Sequence, residues 1–357
     1  MDAEHSVVSV REGRFHGWPA NNGIWSWENE ILVGFTQGGY VQQTGHSIDG
    51  TQENHLAKSL DGGHTWRPYV PEGYLNDGNH KYLGEGKKPL SSALNFRDPK
   101  LAIKVFSQGY HGTDDPVGGF FVSPDRGDTW EGPYAFTGLY DGEGLKGRIL
   151  SARTAYRALD ENTCVFFVSS KPPVDNEMGN RVGCVITEDG GQSFRFLSWV
   201  TPEDDRAVAI MPQAVQLSDD TFVLAYRKIY KNKDGDDAIE IYRSDDRCTS
   251  WRYSGTVTIT RPHSNPPALV GLDDGRLCCA YGDRNDLRIK ARFSEDEGAT
   301  WSSEVIVRDD YYQCHDRDHD LGYVSMVKRP DGLLVSTYYW ATEENPEQYI
   351  AATIWQP

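Results

Sequence analysis

The sequence predicts an all-β protein built from one repeated unit, and three observations support this prediction. An eight-residue motif of the form S-x-D-x-G-x-[ST]-W recurs along the 357-residue chain. Six segments each hold two apolar or β-branched stretches separated by turn residues. No stretch of useful length shows the 3.6-residue hydrophobic period of a helix. Because internal repeats outweigh other fold signals, we predict a single domain over residues 1–357.

The recurring motif has five copies, three that match the pattern well and two that diverge from it. In chain order they are SLDGGHTW at 59–66, SPDRGDTW at 123–130, TEDGGQSF at 187–194, SDDRCTSW at 244–251 and SEDEGATW at 294–301. Serine and aspartate side chains hydrogen-bond nearby backbone N–H groups, and glycine provides a positive φ angle. The tryptophan begins the next strand and packs between sheets. These copies, called the repeat turns below, therefore indicate hairpin corners with an architectural role.

Each of the six segments is expected to supply the inner strand of one unit and then its second strand. The segments are 17–35, 95–106, 150–168, 211–226, 265–281 and 320–340. In the first five units a third strand leads into a repeat turn, and in the sixth the third strand is expected at Tyr349 to Trp355. The alternating run His5 to Arg11 is expected to add the sixth unit's outer strand, so that the two ends of the chain pair. Residues 71–94 are expected to form a surface excursion.

The repeated motif resembles the Asp-box, or BNR repeat, of the sialidase (neuraminidase) superfamily. The resemblance covers nearly the whole chain and implies a six-bladed β-propeller whose ring is closed by the N- and C-terminal strands. It implies that the repeat turns lie on one face and that the binding site lies on the opposite face, where the inner strands begin. Asp-boxes also occur in lyases, other glycosidases and sugar-binding propellers, so several activities stay open.

Composition narrows the classes of partner. The formal net charge of −17 disfavours nucleic acid and anionic membrane surfaces, and no run of about 18 apolar residues is present. The 12% aromatic content suits propeller strands and sugar-binding surfaces. Residues 1–10 lack a signal peptide pattern, which leaves an intracellular or a processed secreted or periplasmic protein open. We expect a monomer with free thiols, no cofactor and a glycan or acidic sugar as substrate.

Four candidate site residues come from the first unit. Trp18 and Asn22 lie at the start of its inner strand, and His46 and Asp49 lie in the loop between its second and third strands. His46 is a candidate general acid or base, because imidazole titrates near neutral pH. Asp49 is a candidate general acid if it is buried. Both could equally be solvated loop residues.

Arginine recurs at the corresponding positions of four other units. The candidates are Arg97, Arg153, Arg227 and Arg284, joined by Asn265, Asp320 and Tyr323. Because a guanidinium group binds a carboxylate through two parallel hydrogen bonds, convergence of these arginines predicts a carboxylate-binding pocket. Arg97 could instead pair with the adjacent Asp98.

The family comparison assigns roles to some of these positions. Sialidases resemble one another in three arginines that bind the substrate carboxylate, a tyrosine nucleophile activated by a glutamate, and an aspartate acid/base. By position, Arg227 and Arg284 are similar to two of these arginines, Tyr323 to the tyrosine and Asp49 to the aspartate. In two places the sequence departs from the pattern: Gly17-Trp18-Pro19 replaces the first arginine, and Met211 replaces the glutamate.

The preferred hypothesis is that the protein is an exo-glycosidase of sialidase-like type that acts on an acidic terminal sugar. A lyase that cleaves at a uronate is the alternative enzyme, with His46 and Tyr323 transferring protons and the arginines, helped by Asn22 or Asn265, neutralising the carboxylate. The third hypothesis is a sugar-binding propeller without catalytic activity. The sequence Cys314 to Asp320 offers possible metal ligands, but we favour a solvated acidic loop or the entry of Asp320 alone into the site, and predict no metal.

Overall fold

A computed structural model describes residues 3–71, 74–75, 86–107, 115–173, 179–204, 207–230, 235–260, 265–315 and 318–357. Within these ranges the chain forms 25 strands, grouped into six antiparallel sheets, and one helix of four residues. The six sheets are arranged as the blades of a propeller, which confirms the predicted all-β, six-bladed fold. None of the helical segments in the described ranges is long and apolar enough to cross a membrane.

The strands of the first three blades follow the N-terminal strand. The N-terminal strand is β1 (Ala3–Ser9), which belongs to blade six. Blade one contains β2 (Arg14–Gly17), the helix α1 (Pro19–Asn22), β3 (Ile24–Trp27), β4 (Glu30–Tyr40), β5 (Ile48–Ser59) and β6 (Arg67–Tyr69), and blade two contains β7 (Ala102–Phe106), β8 (Gly119–Ser123) and β9 (Glu131–Tyr134). Blade three contains β10 (Ile149–Ser151), β11 (Tyr156–Ala158), β12 (Cys164–Lys171), β13 (Arg181–Thr187) and β14 (Arg195–Trp199). In blades one and three the innermost position is shared by two short strands that pair with the same neighbour.

The last three blades have four strands each. They are β15 (Val208–Gln216), β16 (Phe222–Ile229), β17 (Ala238–Ser244) and β18 (Arg252–Ile259) for blade four, β19 (Ala268–Gly271), β20 (Leu277–Asp283), β21 (Arg288–Ser294) and β22 (Val305–Arg308) for blade five, and β23 (Gly322–Lys328), β24 (Leu334–Trp340) and β25 (Tyr349–Trp355) for blade six, which β1 completes.

The N-terminal strand closes the ring as predicted. It runs antiparallel to β25, with His5 opposite Thr353 and Val7 opposite Ala351. The strand covers Ala3–Ser9 and so begins and ends two residues before the predicted run. One sheet therefore contains both ends of the chain, and separating the blades requires breaking this pairing.

Blade two lacks the predicted inner strand. Within the described residues, Asn95 to Leu101 form turns, with Asp98 N–H donating to the Asn95 carbonyl at 3.0 Å, and only β7 of the predicted pair is a strand. The inner edge of β7 has no neighbouring strand in its own sheet, and side chains of blade three accept its hydrogen bonds instead. Ile103 N–H donates to the Tyr156 hydroxyl at 3.2 Å, and Val105 N–H donates to Thr154 Oγ1 at 3.1 Å. Of the excursion expected at 71–94, residues 72–73 and 76–85 lie outside the described residues.

The repeat turns have the hydrogen bonds that their residue types predict. In the first, Gly63 N–H donates to Ser59 Oγ at 2.8 Å, and Thr65 N–H donates to Asp61 Oδ1 at 2.9 Å. The Trp66 indole then donates to the Gly63 carbonyl at 2.9 Å. The fourth and fifth positions of all five turns have positive φ angles, even where the fourth is Arg126 or the fifth is Cys248. The side-chain hydrogen bonds thus hold a backbone shape that glycine favours but does not have to supply.

The core lies between neighbouring blades. Phe194, which replaces the tryptophan of the third repeat turn, packs edge-on against Phe136 with ring centroids 5.0 Å apart and against Phe120 at 5.5 Å. These contacts join blades two and three. The residue at the last position of the turn thus packs into the space between two sheets, which is why an aromatic ring is needed there.

We expect Val8→Ala to lower the free energy of unfolding by about 2 kcal/mol, because it removes buried methyl groups from the strand that closes the ring. Val8 is 2% exposed, whereas its neighbour Val7 is 46% exposed. Val7→Ala is therefore the matched control and should change stability by less than about 0.5 kcal/mol. Equal losses for the two variants, measured by urea denaturation, would contradict the closing role of the buried face.

Acid should weaken the repeat turns. Burial alone would raise the pKa of Asp61, but the hydrogen bonds from Thr65 and Ser59 together outweigh it and lower this pKa from 3.8 to about 2. The folded state then binds fewer protons than the unfolded state between these values, so the stabilisation present above pH 3.8 is lost as the pH falls towards 2. In urea denaturation at decreasing pH, the free energy of unfolding of Asp61→Asn should fall less than that of wild type. Asp219→Asn, at an exposed turn, should show the same decrease with pH as wild type.

Candidate active site

The candidate site lies on the face opposite the repeat turns. The turn between β23 and β24 reaches the first repeat turn, where the Arg329 guanidinium donates to the Gly62 carbonyl at 3.1 Å. The other end of β23, at Gly322 and Tyr323, therefore lies on the far face. Seven side chains from blades one, four, five and six meet there, and we call them the mouth cluster: Trp18, His46, Arg227, Arg284, Asp320, Tyr323 and Tyr339.

Two arginines flank Tyr323. Arg227, on β16, places Nη1 3.3 Å from the Tyr323 hydroxyl, and its guanidinium carbon lies 6.0 Å from the centre of the tyrosine ring. Arg284, which follows β20, places its guanidinium carbon 5.8 Å from the same centre. Two of the predicted arginines thus converge on the predicted tyrosine, each from a different blade.

Asp320 is a buried hub rather than an exposed substrate ligand. Its carboxylate accepts hydrogen bonds from the Tyr339 hydroxyl at 2.6 Å, Ser47 N–H at 2.9 Å and Arg284 Nη2 at 3.3 Å, and it contacts His46 Nδ1 at 2.7 Å. Burial alone would raise the pKa of Asp320, but the hydrogen bond and charge of His46, the charge of Arg284 and the Tyr339 hydroxyl outweigh it and lower this pKa. Asp320 is therefore ionised at neutral pH.

His46 stands between the hub and the solvent. Its ring is edge-on to Trp18 with centroids 4.9 Å apart, and edge-on to Tyr323 at 6.1 Å. The imidazole is thus held on three sides, by Asp320, Trp18 and Tyr323. The expectation that His46 reaches the site agrees with this position, whereas Asp49 has an exposed side chain that accepts a hydrogen bond from Gly50 N–H at 2.7 Å and is not part of the cluster.

The backbone is constrained where the inner strands begin. Trp18, Met211 and Tyr323 have φ angles of 59°, 59° and 50°, a region that non-glycine residues rarely adopt. Tyr323 is held in this conformation because its N–H donates to Asn265 Oδ1 at 2.9 Å. Asn265 therefore positions Tyr323, and its predicted contact with substrate stays a prediction.

The position that the family comparison assigned to a glutamate is occupied by Met211, as the sequence indicated. The Met211 sulfur lies 3.9 Å from Arg227 Nη1, close to Tyr323. A thioether accepts no proton at neutral pH. In sialidases a glutamate at this position accepts the proton of the tyrosine hydroxyl. Among the described residues of the mouth cluster, His46 is the side chain that could accept this proton from Tyr323.

Asn22 is also structural, and its partner was missed by the sequence reasoning. Lys104, in β7, is fully buried, and its Nζ donates to Asn22 Oδ1 at 2.7 Å and to the Asn22 carbonyl at 3.1 Å. Burial lowers the pKa of Lys104 well below its usual value. A charged residue inside the apolar run Ala102–Phe106 was the available signal. Asn22 thus binds Lys104 across blades one and two, and its contact with substrate stays a prediction.

Two of the four predicted arginines lie elsewhere. Arg153 is buried, and its Nε donates to the Pro212 carbonyl at 3.0 Å and its Nη2 to the Pro267 carbonyl at 3.1 Å, so it joins the inner strands of blades four and five. Arg97 is exposed and donates to the Leu159 carbonyl at 2.8 Å. That carbonyl is next to the third repeat turn, on the face opposite the mouth cluster. The missing inner strand of blade two explains the displacement of Arg97.

The side chains of the acidic loop before β23, which runs from Cys314 to Asp320, contact different partners. Asp318 accepts from the Tyr311 hydroxyl at 2.9 Å, and His319 Nδ1 lies 3.0 Å from the Arg284 carbonyl, whereas Asp320 points into the hub. Asp316 and Arg317 lie outside the described residues. Among the side chains that the structure describes, no group of three or more His, Cys, Asp or Glu could hold a metal ion.

We expect Arg153→Met to destabilise the protein by about 3 kcal/mol, because two buried carbonyls lose their donor. Arg97→Met is the matched control, and its exposed position predicts a change below about 0.5 kcal/mol. Urea denaturation of both variants measures the difference. A stable Arg153 variant with impaired turnover would instead restore Arg153 to the substrate site.

Comparison with known proteins agrees with this architecture. Residues 40–335 match the model of the BNR repeat-like domain. A protein of unknown function from Dyadobacter fermentans is 20% identical, with 98% of this chain and 97% of that chain covered and a TM-score of 0.71. No curated protein matches the sequence.

Two enzymes are more distant in sequence but share the fold. The α-L-arabinofuranosidase Arb93A of Fusarium graminearum is 14% identical, with 96% of this chain and 97% of that chain covered and a TM-score of 0.61. A sialidase of Streptococcus pneumoniae is 11% identical, with 94% and 67% covered and a TM-score of 0.56. At these identities the likeness establishes the fold alone. The family match covers most of the chain, and the protein is therefore a member of the BNR repeat-like domain family.

Proposed function

We propose that this protein is a glycoside hydrolase that acts on a terminal sugar carrying a carboxylate. The observation that carries the proposal is the convergence of Arg227 and Arg284 on Tyr323 from separate blades. Guanidinium groups beside an aromatic ring suit a ligand that presents both an anion and a sugar face. The named propellers of similar fold include a sialidase and an arabinofuranosidase, which supports cleavage of a glycosidic bond.

The charge of the whole chain makes this convergence informative. With a net charge of −17, the protein as a whole repels anions, so an anionic substrate needs a local cationic site. Arg284 forms an ion pair with Asp320, and this carboxylate offsets part of the positive charge of Arg284. Arg227 reaches the Tyr323 hydroxyl with Nη1 at 3.3 Å, at the centre of the mouth cluster, so we assign it the main role in binding the carboxylate of the substrate.

A uronate lyase is the second candidate, and one observation favours it. Most glycosidases use two carboxylates, or a tyrosine activated by a carboxylate in sialidases. Here Met211 stands near Tyr323, and the carboxylate of Asp320 is buried among four protein partners. A lyase needs instead a base for the C5 proton, an acid for the leaving oxygen and a cation for the carboxylate, and His46, Tyr323 and Arg227 match these roles.

Product analysis distinguishes the candidates. The purified protein is incubated with both anomers of 4-methylumbelliferyl glucuronide and glucoside, with 4-methylumbelliferyl N-acetylneuraminide and with a uronate-containing polysaccharide. A hydrolase releases a reducing sugar, a lyase produces an unsaturated uronate that absorbs in the near ultraviolet, and a binding protein produces neither. Glucuronide and glucoside differ only in the carboxylate, so preference for the glucuronide supports the proposal and preference for the glucoside contradicts it.

We expect Arg227→Ala to reduce kcat/KM for an acidic substrate about 100-fold, because a charge-assisted hydrogen-bond pair to the carboxylate is lost. Turnover of a neutral substrate of the same linkage should change far less. Arg97→Ala, on the opposite face, is the control and should leave both values unchanged. Equal losses on acidic and neutral substrates would argue against carboxylate binding by Arg227.

A further inference from the structure

We propose that His46 is the proton-transfer residue of this site and that Asp320 is the positioning residue that orients it. This inference rests on the proposed function, because it names the group that exchanges protons with the glycoside. The sequence offered both His46 and Asp49 as a general acid or base and listed Asp320 as a substrate-binding candidate, without pairing any two of them. The geometry favours His46 over Asp49, because it pairs this imidazole from blade one with the Asp320 carboxylate from blade six.

The burial of the two partners differs sharply. The Asp320 side chain is 1% exposed and the His46 side chain is 38% exposed, although their atoms Oδ1 and Nδ1 are 2.7 Å apart. A carboxylate buried to this degree cannot reach a substrate. The imidazole can reach both the buried hub and a ligand at the mouth.

The contact with Asp320 selects the tautomer of His46. Because an ionised carboxylate only accepts hydrogen bonds, the neutral imidazole must carry its proton on Nδ1, which leaves the lone pair on Nε2. Within the described part of the chain Nε2 has no hydrogen-bond partner. Asp320 is in turn fixed by Tyr339, Arg284 and Ser47, so the imidazole is oriented by a rigid support.

The other charged and titratable groups around His46 do not replace it. Arg284 and Tyr339 are bound to the same carboxylate, and Arg227 contacts the Tyr323 hydroxyl. Tyr323 faces His46 across a ring-centroid distance of 6.1 Å, and Trp18 supplies an apolar wall. Asp49 is exposed and has no supporting partner of this kind in the described structure. His46 is thus the oriented group with a free proton-transfer atom.

The proton balance of the reaction is simple. Protonated His46 donates the Nε2 proton to the glycosidic oxygen as the bond from that oxygen to the anomeric carbon breaks. A water molecule then adds to the anomeric carbon and releases one proton, which Nε2 accepts. One glycoside and one water are consumed, two hydroxyl-bearing products form, and His46 returns to its starting state.

The first test needs no substrate. Nitrogen-15 NMR of histidine-labelled protein reports which ring nitrogen carries the proton, and the His46 signals are assigned by their loss in His46→Gln. We expect neutral His46 to be protonated at Nδ1 in wild type and to lose this preference in Asp320→Asn. If the proton lies on Nε2 in wild type, or if Asp320→Asn leaves the tautomer unchanged, the positioning role is overturned.

The second test uses whichever glycoside of the panel above is cleaved. We expect His46→Gln to lower kcat about 100-fold or more with little change in KM, and Asp320→Asn to have an effect of similar direction. Imidazole added to His46→Gly should restore part of kcat, which a purely structural role would not allow. An unchanged kcat in His46→Gln, or the absence of imidazole rescue, would refute the proton-transfer role.

The chain provides a closely matched control. His64 is 40% exposed and its Nδ1 lies 2.8 Å from Glu4 Oε1, so it forms a similar pair on the opposite face. His64→Gln should leave kcat unchanged. Tyr339→Phe keeps the Asp320 charge but removes one of its hydrogen bonds, and it serves if Asp320→Asn does not fold. If wild type cleaves no glycoside, the proposed function fails, while the NMR test still decides the pairing of His46 and Asp320.

Discussion

The buried carboxylate of Asp320 is the interaction on which the geometry of the mouth cluster depends. Its donors come from three places that are far apart in the sequence: the β4–β5 loop, the end of β20 and the end of β24. A buried charge is costly unless it is fully paired, so these loops cannot move independently without exposing it or leaving it unpaired. The order of the mouth cluster therefore depends on one buried carboxylate.

The propeller divides its work between two faces. On one face, serine and aspartate side chains hold tight turns with local hydrogen bonds. On the other face, the contacts of the mouth cluster join different blades, as in the pairs of Arg227 with Tyr323 and of His46 with Asp320. The ring geometry places these side chains together, and no single blade could do so.

This division explains what could be predicted from the sequence. The repeat turns, the closing strand and the positions of Arg227, Arg284 and Tyr323 follow from local patterns and from the family resemblance. The positions of Arg97 and Arg153 could not be predicted, because both depended on the assumption that every blade has a regular inner strand. Blade two lacks this strand, and Arg153 turns inward to carbonyls that only the folded ring brings near. Lys104 and Tyr339 were missed because strand patterns do not reveal which partner faces a buried polar group.

The open edge of β7 has a further consequence. In the other blades each second strand is covered on its inner side by a backbone ladder, whereas Ile103 and Val105 donate their amides to side-chain oxygens of blade three. Exchange of these two amide protons with solvent requires blades two and three to separate and does not require a strand to unzip. Their exchange rates therefore report directly on breathing between neighbouring blades.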